Sequence, residues 1–178
     1  MTAPTPGQTV GPFFGYALPY DGDNRLVPLG RPDAVRLHGR VLDGAGQPVP
    51  DALLELWQAA PDGTVPQAEG SLRRDGHTFT GWGRASTDRT GRYQFTTLRP
   101  GAPSSGGQPY FGITVLARGL LDRLFTRAYL PGTREDLLPP VPSDRRHTIM
   151  AEADGRGFAF DVRLQGEDET VFFDYARD

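Results

Sequence analysis

From Val35 to the C terminus the chain repeats one unit: a short run alternating apolar and polar residues, closed by a turn rich in Asp and Gly. A period of two fits a strand with one buried face and does not fit a helix. Val35–Asp43 ends in Asp43-Gly44-Ala45-Gly46, a hairpin turn sequence, and Ala52–Gln58 alternates again. Gly83–Thr87 and Arg92–Leu98 flank a second turn, Asp88-Arg89-Thr90-Gly91, and put Tyr93 and Phe95 on one face. Phe111–Arg118 and Leu124–Leu130 read as a hairpin joined by Gly119–Arg123. Gly157–Leu164 and Glu169–Asp174 read as a last pair around Gln165-Gly166-Glu167-Asp168. Helix is confined to two short stretches, Thr133–Leu138, stopped by Pro139-Pro140, and Ser143–Met150. This succession of short strands and turns predicts an all-β fold, a β-sandwich or a barrel.

Composition supports that reading: Gly (23) and Pro (17) together exceed a fifth of the 178 residues, as in turn-rich β proteins. The Phe and Tyr residues are spread over the alternating segments, which argues against disorder outside the N-terminal arm. Residues 1–35 are broken repeatedly by Pro and Gly and read as an extended arm, with the domain proper at 36–178. An isolated arm cannot bury Phe13, Phe14, Tyr16 and Tyr20, so these rings must lie against this domain or against a partner.

Several function classes lose support at once. The net charge of −3 gives no reason to expect nucleic acid or an anionic membrane. All 19 basic residues are Arg, which reflects composition bias rather than a function. The absence of Cys removes disulfides, thiolate metal sites and a cysteine nucleophile. With no apolar run long enough for a signal-peptide core or a membrane span, the expected location is the cytoplasm. His38, His77 and His147 lie far apart in sequence and read as solvated or locally bonded imidazoles, although folding could gather them on a metal. No G-x-S-x-G elbow and no phosphate-binding Gly loop is present.

One pattern is more specific. Leu37, Gly39, Val41, Asp43, Gly46, Pro48, Val49, Ala52, Glu55, Trp57 and Gln58 meet the motif L-x-G-x-V-x-D-x-x-G-x-P-V-x-x-A-x-x-E-x-W-Q. They are followed in order by Gly83-Arg84, Thr87-Asp88, Gly91-Arg92-Tyr93 and Phe95 to Gly101. Together these segments resemble the intradiol ring-cleavage dioxygenase family, whose catalytic members hold ferric iron with two Tyr and two His. The hairpin also has a structural reading, with Gly in the turn, Val and Ala facing the core and Trp57 as a large core aromatic. By itself it would equally suit a prealbumin-like β-sandwich binding module without enzymatic role.

The resemblance implies a sandwich of the intradiol dioxygenase, prealbumin-like type, and it also implies that the iron ligands are missing. Their positions are read as occupied by Val65, Pro103, Phe111 and Ile113, none of which supplies a donor to ferric iron. Within the family this resembles the non-catalytic alpha subunit of a two-subunit enzyme. The arm Thr5–Phe13, the run Leu116–Leu120 with Phe125–Tyr129, and the C-terminal Phe160–Asp174 carry that resemblance. It implies a catalytic beta subunit as partner in a higher alpha–beta hetero-oligomer, Fe3+ bound by that subunit and none by this chain, and a small aromatic acid as substrate. Carried over residue by residue, Thr9, Gly11, Pro12 and Phe13 face the partner's substrate entrance, with Arg118 nearby to attract the anion. Simpler readings stay open: Arg118 as a strand-end arginine in a salt bridge, and Thr9–Phe13 as an arm that docks on the partner without touching substrate. A self-sufficient enzyme using His38, His77 and His147 on a different metal is the remaining alternative.

Overall fold

Two sheets form the computed structural model of the chain, which describes residues 14–67, 74–103 and 107–175. The first strand, β1 (Ala34–Leu42), pairs antiparallel with β4 (Arg92–Leu98) and parallel with β8 (Gly157–Ala159) and β9 (Val162–Arg163). The two-residue β7 (Glu152–Ala153) extends that sheet beyond β8. The second sheet is antiparallel throughout, in the order β3 (Trp82–Ser86), β2 (Leu53–Trp57), β5 (Tyr110–Leu116), β6 (Leu124–Tyr129). Leu37, Val41, Tyr93, Phe95 and Phe158 of one sheet meet Leu54, Leu56, Phe111, Ile113 and Val115 of the other in one buried cluster. That is the expected all-β sandwich, and the Tyr93 and Phe95 rings pack edge-on within it, 6.0 Å apart. Among the described residues no helix is long and apolar enough to cross a membrane.

The turns form as the Asp-Gly sequences dictate. Asp43 Oδ1 accepts the N–H groups of Ala45 (2.9 Å) and Gln47 (2.8 Å), and Gly46 takes the positive φ of 73° that closes the loop. Asp88 repeats the device, accepting from the Thr90 and Arg92 amides. The Thr90 hydroxyl bonded to it and these amides hold its carboxyl below the usual Asp range.

Three features differ from the sequence expectation. Trp57 is not a core residue: Leu54 and Leu56 take the inward face of β2, which leaves Trp57 outward and 55% exposed, while its neighbour Trp82 is buried. Glu169–Asp174 is not a strand. The segment returns from the turn and binds the edge of β6 through isolated contacts, the Thr126 hydroxyl donating to the Val171 carbonyl and the Phe173 N–H to the Phe125 carbonyl. The two helical stretches are 3-10 turns, Glu135–Leu137 and Ser143–Ile149. Within residues 1–35, the described part from Phe14 onward folds back on this domain. A short helix α1 (Phe14–Ala17) buries Phe14, and Leu26 and Val27 are buried beyond it. Arg84 ties this segment down, donating to the Leu18 carbonyl (2.6 Å) while paired with Glu55 (2.6 Å).

The seam between β1 and the C-terminal segment is a close backbone contact. A Cβ on Gly39 would overlap the Phe160 carbonyl, and that carbonyl accepts the buried Tyr93 hydroxyl at 2.6 Å. The Phe160 N–H reaches the His38 carbonyl (2.8 Å), and Asp161 takes the Arg40 N–H (2.8 Å). Burial, with the nearby Asp161 charge, pushes the Tyr93 hydroxyl well above its usual value near 10. Tyr93 therefore favours the fold below about pH 10, where it is neutral in both states, and this contribution is lost as pH rises beyond that. Denaturant midpoints of the native chain should fall above about pH 10. Tyr93→Phe should cost about 1–2 kcal/mol at neutral pH and flatten the alkaline decline. An unchanged alkaline slope in that variant would remove Tyr93 from the account.

Candidate functional site

The outward face of the β2–β5–β6 sheet carries a cleft of about 680 Å³. Strand register builds it. Trp57 of β2 stands opposite Gly112 of β5, and Gly112 opposite Arg127 of β6, so the three share one face in a single row. Trp82 extends the row on β3, its ring 6.0 Å from that of Trp57 at 63°. Alternation along β5 turns Phe111, Ile113 and Val115 into the core and leaves Tyr110 and Gly112 on the cleft side. Along β6 the buried Ala128 faces the core between Arg127 and Tyr129, both of which line the cleft.

Arg127 is the charged centre of this face. Its Nε donates to the Tyr175 hydroxyl and its Nη1 to the Tyr129 hydroxyl, each at 3.2 Å. The guanidinium carbon stands 4.6 Å from the Tyr110 ring centroid, 5.4 Å from Phe173 and 5.9 Å from Tyr175. Cation–π attraction and two phenol oxygens thus hold a half-buried cation, and no carboxylate lines the cleft among the described residues. Burial pushes the Tyr129 hydroxyl above its usual value, although Arg127 draws it down, so Tyr129 stays a neutral phenol.

Gln58 anchors the far end of the cleft and joins the two sheets. Its buried amide donates to the Leu98 carbonyl (2.9 Å) and the Ala59 carbonyl (3.2 Å), and its oxygen accepts from the Thr97 hydroxyl (2.6 Å).

The structure brings three of the four expected iron-ligand positions to this cleft. Val65, Pro103 and Ile113 all border it, Ile113 from β5 with its side chain in the core, where the Phe111 side chain is fully buried. The cleft does not suit ferric iron: its described lining offers no imidazole and no carboxylate, and the guanidinium of Arg127 would repel a trivalent cation. The hydroxyls of Tyr129 and Tyr175 already accept from that guanidinium. The three His share no site. His38 Nε2 meets Asp154 at 2.7 Å, His147 lies 3.5 Å from Asp168, and His77 sits in the turn capped by Asp75. No group of three or more His, Asp, Glu or Cys that could hold a metal occurs among the described residues.

Arg118 lies outside the cleft, just past β5, 72% exposed and 2.6 Å from the Asp51 carboxylate. The pair is ionic contact rather than an aligned hydrogen bond, since Asp51 Oδ2 has no aligned donor. At that exposure it stabilises the fold little. Thr9, Gly11, Pro12 and Phe13 lie outside the described residues. Sequence reasoning passed over Tyr110, Arg127, Tyr129 and Tyr175, although the alternation of β6 against β5 carried a signal: Arg127 and Tyr129 fall on one face, as do Tyr110 and Gly112.

Comparison with known proteins accords with this architecture. A family model described as Dioxygenase matches residues 9–119. The protocatechuate 3,4-dioxygenase alpha chain of Burkholderia cepacia is 37% identical over 192 residues, covering 96% of both chains. The protocatechuate 3,4-dioxygenase beta chain of the same organism is 31% identical over 177 residues, covering 86% of this chain and 74% of its own. Among solved structures, the dioxygenase domain of a carbohydrate-binding fusion from Streptomyces sp. SirexAA-E matches with a TM-score of 0.60 at 25% identity, covering 93% of this chain and 100% of that one.

Gln58→Leu should keep the volume of the site but leave the Thr97 hydroxyl and the Leu98 carbonyl unpaired, at a cost of about 1–3 kcal/mol. Chemical denaturation would measure it, and a midpoint equal to the native one would show that the amide does not join the sheets.

Proposed function

The chain belongs to the intradiol dioxygenase family, and from that premise we propose that it is the non-catalytic alpha subunit of a protocatechuate 3,4-dioxygenase. The observation that carries the proposal is the near full-length similarity to an alpha chain, at 37% identity with 96% of both chains covered. The chemistry of the cleft supports it independently, because its described lining offers no imidazole and no carboxylate and its charged centre is a guanidinium.

In this reading the partner is a beta subunit that binds Fe3+ and cleaves protocatechuate, 3,4-dihydroxybenzoate, with O2 between its hydroxyls to 3-carboxy-cis,cis-muconate. The alpha and beta chains assemble into a cytoplasmic hetero-oligomer, and the lone chain is inactive. This chain's own contribution is shape and charge. Of the arm read at residues 1–35, the described part from Phe14 onward is anchored on this domain through the buried Phe14. Thr9, Gly11, Pro12 and Phe13 dock on the partner and wall its substrate entrance. Arg118, exposed and only weakly engaged by Asp51, attracts the benzoate anion. A binding module unrelated to the enzyme is disfavoured, since the similarity runs through the arm and the C-terminal segment as well as the first hairpin.

Co-expression with a beta chain tests the assignment. The two should copurify, and the pair should cleave protocatechuate while this chain alone does not. Failure to copurify, or a copurified pair without ring cleavage, would end the subunit reading. Within an active pair, Arg118→Ala should lower kcat/KM by several-fold up to about tenfold, mainly through KM, and more at low salt than at high. Kinetics equal to the native pair would leave Arg118 with its Asp51 contact alone.

A further inference from the structure

The row Trp57, Gly112, Arg127 has the geometry of a receptor for a small aromatic acid. The outer residues stand two strands apart, roughly 10 Å between backbones. Gly112 between them carries no side chain, and it lines the cleft together with the Trp57 indole and the Arg127 guanidinium. The floor is aromatic: the Tyr110 ring comes within 3.6 Å of the point where a Gly112 Cβ would stand. Trp57 is 55% exposed on this face, an unusual place for a large aromatic that the fold does not need there.

The charge on Arg127 gives the slot its polarity. Two phenol oxygens and three ring faces hold the guanidinium in place, but these are weak acceptors, and a guanidinium has more N–H donors than two phenols occupy. No carboxylate among the described residues lining the cleft competes for them. A fixed, half-buried cation with spare donors in a largely aromatic cleft is a carboxylate receptor, because a charge-assisted, two-pronged contact forms without first breaking an internal ion pair.

We propose that this cleft is a ligand site in its own right, taking a benzoate-type aromatic carboxylate with its carboxylate on Arg127 and its ring over Gly112 against Trp57 and Tyr110. It requires no iron, and its recognition residues all belong to this chain. It therefore does not rest on the subunit assignment. The site binds and does no chemistry: among the described residues of the slot none is placed as a nucleophile, and none belongs to a group that could hold a metal. It gives the chain a means of sensing aromatic acids separate from any catalytic centre a partner supplies.

The test titrates the full chain with 4-fluorobenzoate, followed by its 19F resonance and by indole fluorescence, Trp57 and Trp82 being the two Trp of the sequence. Saturable binding is expected, with the neutral isostere 4-fluorobenzamide binding at least about tenfold more weakly. Arg127→Gln should weaken benzoate binding by about tenfold or more while bringing the affinities of acid and amide together. Trp57→Leu should weaken both ligands and keep the preference for the acid. If Arg127→Gln does not fold by circular dichroism, the acid-versus-amide comparison on the native chain decides. Absence of saturation, equal affinity for the two ligands, or native-like binding by a folded Arg127→Gln variant would overturn the proposal. So would release of bound 4-fluorobenzoate on adding an assembling beta chain, since the cleft would then be part of the contact between subunits.

Discussion

A missing side chain at Gly39 lets the two ends of the fold meet. The first strand lies between β4, which follows by an ordinary antiparallel pairing, and a C-terminal segment that returns more than a hundred residues later to run parallel to it. Parallel return is possible only if the Phe160 carbonyl can enter the space a Cβ would fill, and Tyr93 from the neighbouring strand then takes that carbonyl. The order of the second sheet is set on the other side of the core by antiparallel pairs of β2 with β3 and β5. Gln58 links the sheets at one end, so the cleft on the outer face rests on a frame that cannot shear freely.

That frame explains how the architecture of a ring-cleaving enzyme persists without the means of cleavage. Nothing in the core depends on a metal: the sheets are held by Phe95, Phe111, Leu37, Leu54 and their neighbours, and by buried hydrogen bonds. The outer face is therefore open to substitution at little cost to stability. In this chain a cation occupies it, stacked on aromatic rings and bonded to two phenol oxygens, of which burial holds that of Tyr129 above its usual value. The result is a fixed positive centre beside an aromatic wall.

Much of this was legible in the sequence because turns and alternation are local. Asp43 and Asp88 announced their turns, and Tyr93 with Phe95 announced an inward face that the structure reproduces. Where alternation failed, it failed for physical reasons. The run from Tyr110 to Leu116 puts Tyr110, Gly112 and Thr114 on one face and Phe111, Ile113 and Val115 on the other, and an aromatic on each face left open which one meets the core. Trp57 looked like core because it is large and apolar, and only pairing with Gly112 and Trp82 reveals that it lies on the outer row. Glu169–Asp174 has strand composition, yet it binds an edge through a side chain and a single amide rather than a ladder. Alternation put Arg127 on one face with Tyr129 but could not single it out among 19 Arg, since its partners come from β5, β6 and the C-terminal segment.

The central claim is that this chain contributes structure and charge to a dioxygenase whose iron belongs to another chain. Metal analysis of the purified alpha–beta complex, normalised to protein, tests it most directly. The account predicts about one iron per alpha–beta pair, because the cleft of this chain holds a guanidinium and offers no ferric donor set. A value near two per pair, with both irons retained after dialysis, would contradict it.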